Sequence, residues 1–350
     1  MYRFLLYICF VSSVFGNITY LSPAGVGLYV EAGYAPSWRN CLLGDPIVWT
    51  VHDHGDEDPG IKTLEHGLFH PNQGLNNTYA PGLRARADLS ANRWGSVEGI
   101  FQGLYEWEFN KTVVEGRDQV GTSISPFAQG PYLLSNDFMS FSHIDVTYHE
   151  HFNSVELNYL KHLSPRYYDY FSVSVIFGLR GIQSENSMNL TGPMEGDDGV
   201  VDPSLDPIGT LYLNNRNRFI GAQIGGIMRY RITKKLYFEC LVKGAILGDI
   251  LDYQIKIFYS EESTNPNHPR VTTSFEDMDR VKAAMGYAAE ATPKFEFHLG
   301  NMYLFAGGNF LYVHGISPTS IQITQKNLLN VSTCGSILLG SALIGLGIHI

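Results

Sequence analysis

Long apolar runs are scarce in this chain of 350 residues, and charged residues make up only 17% of it. Beyond the first residues no stretch approaches the ~20 consecutive apolar positions of a membrane-spanning helix, which argues against a helical membrane protein. The formal net charge is -10. A phosphate-binding surface needs clustered Lys and Arg instead, so nucleic acid is not an expected partner. Neither a Gly-x-Ser-x-Gly motif nor a Walker-type phosphate loop occurs, and the enzymes that depend on them are not indicated.

The N-terminal segment 1–16 has the layout of a cleaved secretory signal peptide, with an early Arg, a short apolar stretch and small residues near Gly16. A lipoprotein anchored through Cys9 is the alternative, but the preceding residue is the bulky Ile8. We therefore predict a signal peptide at 1–16 and one exported domain at 17–350.

Cysteine is rare, and removal of the signal leaves an odd set of three in an oxidising compartment. Cys41 and Cys334 fall in loops that the topology predicted below places on the same side of the membrane. A bridge between them and two free thiols are both consistent with the sequence. Cys240 lies among apolar neighbours and is expected to pack.

Glycine (36), tyrosine (21) and phenylalanine (20) are abundant, which is typical of many strands with aromatic ends and turns. Within the segment 217–250, every second side chain of 220–232 is apolar or small, whereas Arg229 and Arg231 fall on the other face. After a polar turn at 233–235 the alternation resumes. These strands exceed the roughly five or six residues of a typical soluble strand and reach the roughly nine to eleven of a membrane-crossing one. We therefore expect the apolar face to contact lipid.

The same unit of strand, short turn and strand recurs along the chain, with one further strand at each end. The predicted strands are 26–36, 82–91, 94–109, 154–163, 170–183, 217–232, 236–250, 287–299, 302–314 and 338–350. The predicted long loops are 37–78, 110–151, 184–216, 251–284 and 316–337. This plan predicts an all-β fold, a transmembrane up-and-down antiparallel β-barrel of about ten strands with short periplasmic turns and long extracellular loops. Extensions near Val146 and Ile257 would raise the number to twelve.

Aromatic residues on the predicted outer face lie mainly towards strand ends, as in the interfacial girdles of such barrels, although aromatic residues favour any sheet. They are Tyr34, Tyr105, Trp107, Tyr159, Phe171, Tyr230, Phe238, Phe310 and Tyr312.

The opposite face carries charges of both signs, which would line the lumen. The predicted lumen-lining residues are Arg84, Arg86, Asp88, Glu98, Glu106, Glu156, Arg180, Arg229, Arg231, Glu239, Lys243, Glu290, Lys294 and Glu296, with Glu31 beside them. A charged wall can set the ion preference of a water-filled pore. The alternative is a set of ion pairs that fills a narrow barrel and leaves no hole.

Three loop clusters contain side chains that bind metals elsewhere. They are His52 with His54, the run His149, Glu150 and His151, and the acidic run Glu195, Asp197, Asp198, Asp202 and Asp206. None has an established ligand spacing, and a solvated polar loop is the preferred interpretation of each. No cofactor, no metal and no enzyme activity are therefore predicted.

Five segments together resemble the planctomycete-type outer-membrane β-barrel family, which is similar to the pore-forming major outer-membrane proteins of intracellular bacteria. The segments are 81–107, 153–163, 171–182, 217–232 and 328–350. The resemblance implies an outer-membrane barrel with porin-like activity. Barrels of this kind usually end in an aromatic residue, whereas this chain ends in His349 and Ile350.

We therefore predict a porin-like passive diffusion channel for ions or small solutes in a bacterial outer membrane, with the lipid bilayer and further copies of the chain as candidate partners. The alternative is a closed structural barrel whose extracellular loops mediate adhesion or partner binding. A soluble secreted β-sandwich or propeller is a third interpretation.

Overall fold

The computed structural model describes residues 27–41, 48–53, 62–69, 79–92, 95–114, 122–124, 143–163, 170–193, 208–261, 271–317 and 335–349. The strands are β1 (Gly27–Tyr34), β2 (Ser37–Cys41), β3 (Val48–Asp53), β4 (Lys62–Phe69), β5 (Tyr79–Ala80), β6 (Leu83–Asn92), β7 (Gly95–Val114), β8 (Thr122–Ile124), β9 (His143–His162), β10 (Phe171–Pro193), β11 (Ile208–Arg231), β12 (Leu236–Glu261), β13 (Val271–Leu299), β14 (Met302–Ile316) and β15 (Gly335–His349). The predicted signal peptide and Cys334 lie outside these residues. Within them, no helix is long and apolar enough to cross a bilayer.

Ten strands form one closed ring in the order β1-β6-β7-β9-β10-β11-β12-β13-β14-β15, and β15 pairs back with β1. The closing ladder is antiparallel and runs from the Tyr29–His349 pair to the Tyr34–Ile344 pair. Closure leaves these ten strands without the unpaired edges that lipid would not tolerate. The predicted all-β antiparallel barrel of ten strands is confirmed. The segments near Val146 and Ile257 lengthen β9 and β12 and do not add barrel strands.

Strands β9 to β13 are long, between 20 and 29 residues each. Most of the predicted loops 184–216 and 251–284 and part of the predicted loop 110–151 are therefore strand, and the loop predictions were wrong at those positions. The reason is visible in β10 beyond Leu179, where Asn186 faces inward and Glu185 outward. Both faces are polar there, so the contrast in hydrophobicity that marks a strand is lost although the chain stays extended.

Two prolines interrupt neighbouring walls of the barrel at the same level. Beyond Pro36, β2 continues from β1 and pairs with β15. Strand β5 pairs with β2 and is joined to β6 through Pro81 and Gly82. The Ala35 amide donates to the Gly82 carbonyl at 2.9 Å, which holds the two interruptions together. Strands β3, β4 and β8 form a separate small sheet. The prediction of an irregular loop over 37–78 is therefore wrong in part.

The outer surface carries a continuous apolar belt. Ile246 is 68% exposed and Ile220 67%, and both point away from the lumen on adjacent strands. Other outward members are Val97, Val155, Leu157, Tyr159, Phe171, Phe177, Leu179, Ile224, Tyr230, Val242, Phe295, Leu304, Phe310 and Ile344. Above the belt the outward residues become charged, as in the Arg218–Asp252 pair at 3.1 Å. This apolar band with a polar border is the surface that a transmembrane barrel presents to lipid.

A bulge in β7 reverses which side chains face the lumen. The pairing between β7 and β9 shifts between Gln102 and Tyr105, and Leu104 has a positive φ of 62°. Below the bulge even-numbered residues point inward, and above it Tyr105 and Trp107 do, each 1% exposed. The predictions that these two aromatic residues belong to the outer girdle and that Glu106 lines the lumen are wrong for this reason.

Candidate functional site: the charged lumen

The lumen collects almost all the charged residues predicted to line it. Those buried in the interior are Arg84, Arg86, Asp88, Glu98, Glu156, Arg180, Arg229, Glu239, Lys243, Glu290, Lys294 and Glu296, together with Glu31. Arg231 is half-buried at the turn end of β11. The Glu106 side chain is 66% exposed on the outer surface. A role of these residues in lining an open path stays a prediction.

A four-residue charge cluster occupies one level of the interior. Lys243 Nζ lies 2.6 Å from Glu156 Oε2 and 3.1 Å from Glu290 Oε2. Arg180 Nη2 contacts the same two carboxylates, at 3.3 Å from Glu156 Oε1 and 2.7 Å from Glu290 Oε2. The two cations and two anions come from β9, β10, β12 and β13, so the cluster connects walls that are not neighbours in the ring.

A second bridge crosses the full width of the barrel. Arg86 on β6 pairs with Glu98 on the adjacent strand and, through Nη1, with Glu239 Oε1 on β12 at 2.8 Å. Strand β6 is second and β12 seventh in the ring of ten, so they form opposite walls. Their side chains meet across the centre of the lumen.

Lys294 extends this network towards the turn end of the barrel. It pairs with Glu31 on β1 and lies 3.3 Å from Glu239 Oε1 and 3.1 Å from Glu296 Oε1. Arg229 Nη2 contacts Glu296 Oε2 at 2.5 Å. The same guanidinium lies over the Tyr237 ring, 4.6 Å from its centroid. Each buried charge in this region therefore has an opposite partner, which is the condition under which charges are tolerated away from water.

Neutral side chains fill the space between the ion pairs. Gln223 Nε2 donates to Glu156 Oε2 at 2.9 Å, and Asn158 Nδ2 donates to Glu98 Oε1 at 2.9 Å. Asn309 Nδ2 donates to Gln102 Oε1 at 2.7 Å on the far side. The lumen at this level is a packed, hydrogen-bonded layer.

A cluster of buried apolar side chains inside the barrel was not predicted from the sequence. Alongside and above the charged layer it contains Tyr105, Trp107, Phe152, Phe219, Leu247, Leu311 and Val313. Tyr303 and Phe305 belong to the same cluster but lie at the turn end of β14, where they pair with His298 and Glu296. Glycines provide the space for the rings, because a Cβ at Gly82 would collide with Tyr105 and one at Gly347 with Tyr303. The inward-facing Gly347 of β15 was the available signal, since a strand glycine often marks a close approach.

Only one of the three sequence clusters of possible metal ligands, His149 to His151, has side chains among the described residues. Glu150 faces the lumen and accepts a hydrogen bond from Tyr148 at 2.9 Å, so it does not share a face with His149 and His151. His52 lies in β3, where side chains are outside the described part, as are His54 and the acidic run. Among the described residues, no three His, Cys, Asp or Glu side chains are already gathered around one point as a metal site. Cys240 is a free thiol.

No protein-family model and no curated protein matches the chain. Several solved structures do. The outer-membrane protease OmpT of Escherichia coli aligns at 10% identity and a TM-score of 0.46, over 95% of this chain and 99% of its own. The attachment invasion locus protein Ail of Yersinia pestis aligns at 9% identity and a TM-score of 0.25, over 93% of this chain and 99% of its own. A FadL homologue of Pseudomonas aeruginosa aligns at 6% identity and a TM-score of 0.25, over 93% of this chain and 90% of its own. Likeness at this level does not indicate a function.

Proposed function

We propose that this chain is a bacterial outer-membrane β-barrel that is closed to diffusion and works through its extracellular part, by binding a partner or a surface. The observation that carries the proposal is the Arg86–Glu239 bridge, which joins opposite walls at 2.8 Å. Barrels of about eight strands have just enough room for side chains, whereas sixteen to eighteen leave a channel. A ten-stranded barrel with ion pairs across its width therefore resembles the small barrels whose interior is filled by side chains.

The lipid bilayer is the first partner in this proposal. The outward apolar belt has no second sheet or helix layer against it among the described residues. A membrane barrel exposes an apolar band about 25 Å tall to hydrocarbon. This argues against the soluble sandwich or propeller. Further copies of the chain as partners and the absence of enzyme activity stay predictions.

The extracellular part has a rigid base. Strands β9 to β13 continue well beyond the apolar belt, and outward charge pairs such as Arg218–Asp252 lie there. Arg216 donates to both carboxylate oxygens of Glu185, at 3.0 Å and 2.7 Å, across the β10–β11 ladder. Long paired strands give the connecting segments fixed anchor points, which favours a binding role because fewer backbone angles must be ordered on binding.

The porin-like diffusion channel is the second candidate. One observation favours it: in the described part of the chain, the lumen is filled by side chains, and no inserted strand or helix occupies it. Side chains change rotamer on faster timescales than inserted segments move. Rearrangement of the Arg86–Glu239 bridge would then open a path with charges of both signs.

Planar bilayer recording separates the two. We expect the purified protein to insert without stepwise conductance and the Arg86→Ala/Glu239→Ala variant to conduct, because both halves of the central bridge are then gone. Stepwise conductance by the unaltered protein would overturn the closed barrel and favour the channel. Deletion of residues 194–207, between β10 and β11, is the companion variant. It should remove attachment of expressing cells to the target surface while the barrel still inserts.

A further inference from the structure

The bulge in β7 places two carboxylates opposite two histidines on the outer surface. Beyond Leu104, Glu106 and Glu108 point outward from β7, and their direct cross-strand partners on β9 are His151 and His149. Without the bulge, these carboxylates would face the lumen. The four side chains therefore share one face of a two-stranded ribbon only because the phase of β7 is reversed.

The dimensions of this group fit a small metal ion. Side chains directly opposite each other on antiparallel strands have Cβ atoms about 4.5–5.5 Å apart, and residues two apart on one strand follow at about 6.5–7 Å. A tetrahedral zinc ion with ligands at about 2.0–2.2 Å places its donor atoms about 3.3–3.6 Å apart. His151 Nε2 and Glu106 Oε1 are already 4.0 Å apart. The four donors are not gathered around one point, so closure needs a change of rotamer at exposed side chains.

The surroundings leave the donors available. The side chains of His151 and Glu106 are 51% and 66% exposed, so an ion reaches them directly from solvent. Glu108 accepts a hydrogen bond from Asn110 Nδ2 at 3.2 Å, which orients this carboxylate while its other oxygen stays unused by that bond. Glu185, the neighbour of His151 on β10, is held by both Arg216 hydrogen bonds and is not a ligand in this proposal.

We propose that His149, His151, Glu106 and Glu108 form a binding site for a divalent transition-metal ion of the zinc class, just above the apolar belt. The donor set of two imidazoles and two carboxylates suits zinc, copper or nickel and is poor for calcium or magnesium, which prefer all-oxygen ligands. The site differs from the sequence run His149, Glu150 and His151, because Glu150 faces the lumen and both carboxylates come from β7. It is independent of whether the lumen is open.

Titration of the detergent-folded protein with zinc chloride, followed by calorimetry, tests the site. We expect the His149→Ala/His151→Ala variant to bind one fewer zinc ion per chain than the unaltered protein. The Glu106→Gln/Glu108→Gln variant should bind the same ion at least tenfold more weakly. His314→Ala removes another outward histidine, on β14, and should bind as the unaltered protein does. Magnesium chloride should not compete.

Cobalt provides a second readout, because a tetrahedral site gives an intense visible absorption that an octahedral, mainly aqueous ion lacks. The absorption should appear with the unaltered protein and vanish in the double histidine variant. Heat-modified mobility on gels confirms that each variant has folded. Equal zinc stoichiometry and affinity in the unaltered protein and the double histidine variant would overturn the proposal, as would an unaltered protein that binds no zinc.

Discussion

Glu290 on β13 lies 2.7 Å from Arg180 Nη2 on β10, although two strands separate them in the wall of the barrel. The same carboxylate contacts Lys243 at 3.1 Å and Arg84 at 3.4 Å. Three cations from three strands therefore share one anion. Buried ion pairs add little net stability compared with apolar residues of the same shape, but removal of one partner leaves an uncompensated charge.

Glu290→Gln is therefore expected to destabilise the folded barrel by about 3–5 kcal/mol, the range for a broken buried pair. Urea unfolding in lipid vesicles, followed by tryptophan fluorescence, measures the free energy. The matched control is Glu106→Gln, which makes the same chemical change on the outer surface and should stay within about 0.5 kcal/mol. Similar losses in both variants would show that the interior charges are not compensated as a network.

The Tyr303 ring on β14 needs the space left by Gly347, its direct partner on the adjacent strand β15. Gly347→Ala adds a methyl group where the Tyr303 ring lies, and we expect a loss of about 1–3 kcal/mol, as for other overpacked interiors. Gly244→Ala is the matched change on β12, where no atom lies within 4 Å of the added carbon, and it should be close to neutral. In a Tyr303→Ala background the cost of Gly347→Ala should disappear, since the collision partner is gone. A cost that persists there would locate the effect in the backbone.

Much of the barrel was predictable because lipid imposes a strict pattern. Within the belt, as at Ile220 and Ile246, every second side chain is apolar, and this period fixes strand, face and register at once. Above the belt water contacts the outer face, and polar residues such as Glu185 and Asn186 occupy both sides. The strands continue there without a hydrophobic period, which is why the sequence predicted loops.

The sequence predicted which residues face the lumen, but not which of them form ion pairs. Alternation places Arg86 and Glu239 inside, yet residues 153 positions apart reveal no pairing in a single sequence. Which cation meets which anion depends on the stagger of the ring and on its diameter. Glu106 was placed on the wrong face because a bulge inserts one residue, and Gly103 was the only sign of it, since a strand glycine often marks a bulge.

Leu104 gives a direct test of that bulge. Its φ of 62° lies in the left-handed region, where a side chain costs about 1–2 kcal/mol. We therefore expect Leu104→Gly to fold, with a free energy of unfolding at most about 1 kcal/mol below that of the unaltered protein. Deletion of Leu104 removes the extra residue, so simple alternation from Gln102 then keeps Tyr105 and Trp107 inward and Glu106 outward without a bulge. We therefore expect the deletion variant to fold with Trp107 still inside the barrel. Quenching of tryptophan fluorescence by brominated lipids reports the face, and a folded deletion variant in which Trp107 becomes accessible to the lipids would contradict the assignment.

The depth of the apolar belt is the last testable feature, and β12 provides two positions on the same face. Ile246 pairs with Ala222 within the belt, whereas Ile250 pairs with Arg218 at its charged border. An arginine at the midplane of a membrane barrel costs about 2–4 kcal/mol, and one near the interface about 0–1 kcal/mol. We therefore expect Ile246→Arg to destabilise the vesicle-folded protein by at least about 2 kcal/mol more than Ile250→Arg, measured by guanidinium titration. Because both side chains are more than half exposed, packing within the protein cannot produce this difference. Equal costs at the two positions would mean that no hydrocarbon layer covers this face of β12.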